Sequence, residues 1–365
     1  MMILVAVLAG LFLFAVLYMK QAKFGKLPSG VRLEIIKKSP NFKDGTFQNL
    51  SPTPSLQEGK SMWEVMYKFF TDSTPHKKPS KALPTIKTDL KNLDINQDIL
   101  VWFGHSSYYF QLDGKRFLVD PVLSGSVSPV PFSGKAFEGA DVYWVEDFPE
   151  IDYLLITHDH YDHLDYQTII QLKNKVKTVI CPLGVGEHLE YWDYPIQKII
   201  EKDWYDKVEL AHQMQITPTP ARHFSGRTFK RNTSLWTSYV LETPDYKLFI
   251  GGDSGYDTHF KTIGEKFGPF DLAILENGQY NEDWKYIHTL PEQIHQVAED
   301  LQTERFFPVH SSKFNLALHA WKEPLERVSQ LNQTSNIPII TPKIGEPVRL
   351  RDKEQKFSKW WETVD

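Results

Sequence analysis

The chain has a single cysteine, Cys181, among 365 residues. One thiol cannot close an intrachain disulfide, which fits either a reducing compartment or a secreted protein that needs no staples. A long basic stretch is also lacking, and the formal net charge is −5. Nucleic acid is therefore disfavoured as a partner. No tandem repeat is visible, so nothing indicates a repeat architecture. What is present suits one large domain with extensions, or at most two domains. A hydrophobic content of 41% permits a sizeable core.

Long apolar runs are scarce, with one exception. Met2 to Met19 carries no charge. Eighteen residues just suffice to span a bilayer as a helix. The run has neither a basic flank before it nor a clear small-x-small cleavage site, so it reads as an uncleaved anchor rather than a signal peptide. Lys20, Lys23, Lys26, Arg32, Lys37 and Lys38 follow it. The positive-inside rule then places the rest of the chain on the cytoplasmic side, although long domains can translocate despite such charges. The expected division is a transmembrane anchor at 1–19, a juxtamembrane linker and extension at 20–97, a catalytic domain at 98–350 and a tail at 351–365. The extension is rich in Pro, Ser and Lys, and Ser61 to Phe70 is its one helical candidate. Regular structure is expected from Ile99. The tail, with Trp360-Trp361, is expected to pack on the surface.

From Ile99 the pattern gives strands first. Ile99–Phe103 and Tyr108–Leu112 are followed by Asp113-Gly114, a two-residue hairpin turn, and by the returning strand Arg116–Val119. Strands and helices then alternate, which by itself says α/β.

One stretch concentrates the chemistry. His158, His160, Asp162 and His163 fall at the spacing H-x-H-x-D-H. They follow the apolar run Ile151–Ile156, read as a buried strand, and precede a helix starting near Tyr166 with Asp165 as N-cap. Burying four such groups without partners would be costly. Imidazole and carboxylate are the ligands that cations such as zinc prefer. Further candidates are His223, Asp253 and His310, each placed after a strand-like or loop-entering run. The chain is basic around His223, with Arg222, Arg227, Lys230 and Arg231. Guanidinium groups suit phosphate, so Arg222 and Arg227 are candidate substrate contacts; a solvated loop is the plain alternative.

On the hexad, together with Trp102–Ser107, Asp120–Ser124, His223–Arg227, Gly251–Tyr256 and His310–Phe314, the chain resembles the metallo-β-lactamase superfamily. Within it, the chain is similar to the branch of N-acylphosphatidylethanolamine-hydrolysing phospholipase D and its bacterial relatives. The resemblance implies an αββα sandwich and two metals, expected as zinc. It implies that His158, His160 and His223 hold the first metal, that Asp162, His163 and His310 hold the second, and that Asp253 bridges them. It also implies that His288 lies near the substrate head group. Asp162, Asp253 and His288 are thus the candidate catalytic residues. His105 would either back the metal site or stabilise its turn. Glu276–Tyr280 departs from the more apolar run of the mammalian lipase, which leaves acyl selectivity open. The expected activity is phospholipase D-type cleavage of a membrane phospholipid. The alternatives are a hydrolase of a soluble lactone, ester or sugar phosphate, and a tethered metal-binding protein without activity.

Overall fold

Strands buried on both faces need apolar residues at every position, and the central segments of this chain supply them. The computed structural model describes residues 2–365, with side-chain surroundings from residue 7 onward. Before the first main sheet lie helices α1 (Met2–Met19) and α2 (Gly30–Ile36), a short hairpin of β1 (Phe42–Lys43) and β2 (Thr46–Phe47), and helix α3 (Met62–Thr71). Regular structure thus begins well before Ile99. Neither α2 nor the hairpin has enough periodic residues to announce itself. Ser61 caps α3 in a reciprocal capping box with Glu64.

The first main sheet takes β3 (Ile99–Trp102), β4 (Tyr108–Leu112), β5 (Lys115–Val119), β6 (Ile151–Leu155), β7 (Val176–Pro182) and β8 (Ile199–Lys202) in that spatial order. β3 to β5 are antiparallel neighbours, whereas β5 to β8 run parallel. Asp113 and Gly114, at φ 46° and 73°, make the tight turn between β4 and β5. Helices α4 (Tyr166–Leu172) and α5 (Gly186–Tyr191) belong to the crossovers of the parallel half. The second sheet runs β14-β13-β12-β11-β10-β9. Its strands are β9 (Val208–Glu209), β10 (Gln215–Thr219), β11 (Ser238–Glu242), β12 (Lys247–Ile250), β13 (Leu272–Glu276) and β14 (Phe306–Val309). Helices α6 (His259–Phe267), α7 (Ile294–Asp300) and α8 (Glu323–Leu331) accompany it, and β15 (Pro347–Arg349) returns to pair with β3.

Alternation along the strands sorts the core into layers. Leu100, Trp102, Phe110, Phe117 and Leu155 of one sheet share a cluster with Ile216, Leu241, Leu248, Ile250 and Ile274 of the other. Their neighbours face outward: Val101, Leu118 and Leu154 pack with Ile169 and Leu172 of α4. Phe249 and Ala273 pack with Ile263 of α6 and Val297 of α7. This is the expected α/β sandwich of two sheets between helices.

The N-terminal expectation is corrected. Among the described residues, no helix is long and apolar enough to cross a membrane. Residue 1 and the side chains of 2–6 lie outside the description. The last turn of α1 is committed to the protein, because Tyr18 Oη donates to the Pro129 carbonyl at 2.6 Å. Two of the basic residues after the run serve the fold. Arg32 pairs with Glu187 at 2.8 Å and Glu201 at 2.5 Å, and Lys26 with Glu187 at 2.9 Å. The transmembrane anchor is withdrawn, and the localisation deduced from it falls with it.

The tail also differs from expectation. Trp360, Trp361 and Val364 are buried in the cluster between the sheets, and Trp360 Nε1 donates to the Pro342 carbonyl at 3.1 Å. Its polar composition hid three anchoring side chains. Replacing Trp360 by Ala is expected to cost about 3–5 kcal/mol. Urea unfolding monitored by circular dichroism should show the midpoint falling; an unchanged midpoint would mean that the tail adds nothing to the core.

Candidate metal centre

The site residues sit where strands end. The hexad follows β6, Asp120 follows β5, His223 follows β10, Asp253 follows β12 and His310 follows β14. β12, β13 and β14 are parallel, and β10 shares their direction because both β10 and β12 are antiparallel to β11. The carboxyl ends of both sheets therefore open on one edge. Two glycines let the strands approach there. A Cβ on Gly251 would meet the Ile274 carbonyl at 2.6 Å, and one on Gly252 the Thr237 carbonyl at 2.6 Å. Asp253 is thereby set directly beside the hexad. His105, Asp120 and His310 adopt positive φ, at 53°, 39° and 67°. Such backbone is costly for residues with a Cβ and clusters at functional sites. Reciprocal backbone bonds, His105 N to Ser311 O at 2.8 Å and His310 N to His105 O at 3.0 Å, hold two of these turns together.

All seven expected ligands converge. His160 Nδ1 faces His158 Nε2 at 3.0 Å and His223 Nε2 at 3.2 Å. Asp253 lies between two groups. Its Oδ2 faces His158 at 3.9 Å and His223 at 3.7 Å, and its Oδ1 faces His163 at 3.1 Å and His310 at 3.2 Å. Asp162 Oδ2 is 3.7 Å from His163 Nε2. His163 Nε2 and Asp253 Oδ1 are buried with no hydrogen-bond partner. Unsatisfied buried ligand atoms aimed at one another are what a cation site leaves when only the protein atoms are described, so the donor set fits the metals.

The electrostatics agree. Burial lowers His158, His223 and His310 well below the usual imidazole range, reinforced by their neighbouring imidazoles. They stand neutral, the form that binds a cation. Burial acts the same way on His163, but the carboxylates of Asp253, Asp162 and Asp120 outweigh it and raise that group. Burial raises the Asp253 carboxyl against the pull of His163, with Glu276 adding to the rise. Divalent cations would relieve both strains by giving these carboxylates a permanent positive partner.

A ring of outer partners orients the cluster, and sequence reasoning had given most of them no role. Asp120 accepts from Thr157 N at 2.8 Å and Thr157 Oγ1 at 2.5 Å, and meets His163 Nδ1 at 2.8 Å. His223 Nδ1 donates to the Ile287 carbonyl at 2.8 Å, and Asn49 brackets the His223 backbone. Ser106 Oγ meets His310 Nδ1 at 2.8 Å. His105 Nε2 contacts Asp162 at 3.0 Å, so of its two readings the structure favours the one that backs the site. His288 enters the same cleft, its ring centre 5.1 Å from that of His223, with Nδ1 bonded to Glu276. Burial raises the Glu276 carboxyl and lowers the His288 imidazole. Asp120 stood in one of the resemblance motifs, yet only the fold reveals what its carboxylate touches.

Arg222 and Arg227 are not brought into this cleft. Arg222 donates to Thr53 Oγ1 and to the Tyr256 and Pro52 carbonyls. Arg227 is buried and donates to the Lys23, Asp159 and Leu164 carbonyls. Arg227 is spent on backbone, and Arg222 on backbone, the Thr53 hydroxyl and the nearby Asp257 carboxylate. Arg231 lines the cleft instead, its guanidinium 4.9 Å from the Phe224 ring centre. The cleft measures about 250 Å³; His160, Asp162, His223, Asp253, His288 and His310 line it. Leu56, Met62, Val65, Phe69, Ile287 and Leu316 contribute apolar lining.

Comparison with known proteins agrees with this picture. Residues 115–311 match the family described as the beta-lactamase superfamily domain. An uncharacterized protein of Mycobacterium tuberculosis (strain ATCC 25618 / H37Rv) is 33% identical over 362 residues, covering 97% of this chain and 95% of that protein. The N-acyl-phosphatidylethanolamine-hydrolyzing phospholipase D 1 of Caenorhabditis elegans is 28% identical over 263 residues, covering 67% of this chain and 74% of its own. Among solved structures, Igni18, a metallo hydrolase of the archaeon Ignicoccus hospitalis, superposes with a TM-score of 0.53 at 21% identity, over 69% of this chain and 97% of that one.

Replacing Asp120 by Asn leaves one carbonyl oxygen to serve three donors. Metal affinity is expected to fall about 10- to 100-fold. Chelator competition followed by elemental analysis measures this, with circular dichroism confirming the fold. Undiminished affinity would show that His163 needs no carboxylate behind it.

Proposed function

From the premise that this chain belongs to the beta-lactamase superfamily and is a metal-dependent hydrolase of that fold, we propose that it is a dinuclear zinc phosphodiesterase. Its substrate is N-acylphosphatidylethanolamine or a related phospholipid, cleaved on the head-group side. The observation that carries this reading is the composition of the cleft. Metal-type ligands and aliphatic and aromatic side chains line it together. A charged diester with hydrocarbon attached can use both kinds of lining, whereas a small polar ester would leave the apolar part unused. The likeness to the nematode phospholipase D points to the same class of substrate.

Seven ligands without thiolate suit zinc, with Asp253 offering one oxygen to each group of histidines. Divalent cations held there supply Lewis acidity and lower the pKa of water. The chain's own residues account for the rest. Arg231 at the cleft wall neutralises the phosphodiester as it binds. His288 commits Nδ1 to Glu276, which fixes its ring and leaves Nε2 to protonate the leaving alkoxide. Water oxygen bonds to phosphorus, the bond from phosphorus to the head-group oxygen breaks, and that oxygen leaves with a proton. The products are phosphatidic acid and an N-acylethanolamine.

Zinc-loaded protein given vesicles containing N-acylphosphatidylethanolamine is expected to release phosphatidic acid, read by mass spectrometry. His288→Ala should lower that rate about 100-fold at unchanged metal content. No phosphatidic acid across common head groups, with turnover of a small lactone or phosphate ester, would assign the centre to a soluble substrate instead.

A further inference from the structure

Helix α3 is apolar on two faces. Met62, Val65 and Phe69 line the cleft, Val65 buried and the other two partly open to solvent, and Phe69 stacks on Trp284 with ring centres 5.9 Å apart. Trp63, Met66, Tyr67 and Phe70 form a second stripe, at the i, i+3, i+4, i+7 spacing of one helix face. That stripe is open to solvent: Trp63 is 78% exposed, Tyr67 69% and Phe70 84%. A helix needed only to cover a cleft would carry polar groups there.

Two further segments carry exposed apolar residues close in sequence to groups of the site. Exposed Leu50 adjoins Asn49, whose side chain holds the His223 backbone. Phe229, 89% exposed, is two residues from Arg231 in the cleft wall. Exposed apolar side chains on α3 thus adjoin the cleft lining on the same helix, and Leu50 and Phe229 stand within two residues of groups at the site, an arrangement that marks an interaction site. The charges beside the stripe are already satisfied. Lys60 and Lys68 both turn to Asp283, and Glu64 completes the capping box of Ser61. No free cluster of one sign is left on this helix to recruit a charged partner.

We infer that α3, with Leu50 and Phe229, is the surface by which this protein docks on a phospholipid assembly. The outer stripe enters the head-group layer while the inner stripe lines the path of the acyl chain. Trp and Tyr suit that layer, having an apolar body and a polar edge. The contact is peripheral and requires no spanning segment. The lipid nature of the occupant rests on the function proposed above. A second copy of the chain fits less well. One face of a ten-residue helix, about 15 Å long, is less than the roughly 800 Å² per partner of a stable pair.

The test is binding to phosphatidylcholine vesicles, which separates docking from hydrolysis. Full-length zinc-loaded protein should sediment with the vesicles, and 0.5 M salt (about 4 Å of screening length) should change this little. Lipids brominated on the acyl chain should quench its fluorescence, and Trp63→Phe should remove most of that quenching while sedimentation persists. Trp63→Ser with Phe70→Ser should weaken sedimentation about tenfold per residue. Ile196→Ser, an exposed apolar site outside this surface, should leave it unchanged. Equal binding by the double variant, an equal loss in the Ile196 variant, or quenching that survives Trp63→Phe would overturn the inference. So would a dimer in solution that the double variant dissociates. Vesicle binding with no phosphatidic acid from any phospholipid would support the docking surface while refuting the proposed reaction.

Discussion

A nearly buried carboxylate with imidazoles on both sides is the constraint around which this molecule is built. Asp253 offers Oδ2 to His158 and His223 and Oδ1 to His163 and His310. Water cannot solvate it there, so its charge has to be balanced from within. Everything nearby follows from that need. Glycines before it let two sheets close to within contact distance, and three turns carry left-handed backbone. Asp120 and the Ile287 carbonyl hold Nδ1 of His163 and His223 while their Nε2 atoms face Asp253, and Asn49 brackets the His223 backbone. Histidine rings rotate freely unless the second nitrogen is held, so these two rings depend on such partners.

The same edge explains why the site is a cleft rather than an open sheet end. Parallel strands deliver their carboxyl ends together, and the chain before the first main sheet is laid over them. Asn49 reaches the His223 backbone, and α3 adds Val65 and Phe69 to the lining of the cleft. Apolar and metal-type side chains therefore share one cleft. The arginines illustrate the opposite case. Arg222 and Arg227 flank His223 in sequence, yet each is drawn away by several backbone carbonyls that would otherwise be unsatisfied. Proximity in sequence to a ligand gave them no role in the cleft.

Glu276 and His288 show how one departure in sequence acquires meaning. The run Glu276–Tyr280 reads as a polar interruption of a pocket wall. In the fold, Glu276 ends β13 beneath the cleft and meets His288, twelve residues on. A buried carboxylate without a partner would be costly, and a histidine without one would be free to turn away. Each supplies what the other lacks.

The sequence alone determined the local features whose cause is local. The hexad spacing, the Asp113-Gly114 turn, the Asp165 cap and the alternating strands all depend on residues a few positions apart, and each is found as read. It also brought the candidate ligand types together, three histidines and an aspartate on one loop. Tertiary structure alone decided the matters of partnership. An apolar run of eighteen residues reads as a span, but among the described residues no helix is long and apolar enough to cross a membrane, and the last turn of this one bonds to the Pro129 carbonyl. A polar tail reads as surface until Trp360 and Trp361 find the core. Arginines beside a ligand read as phosphate contacts until competing carbonyls are in place. In each case, the free energy belongs to a contact between distant segments. Such contacts leave no periodicity, spacing or composition in the chain from which they could be read.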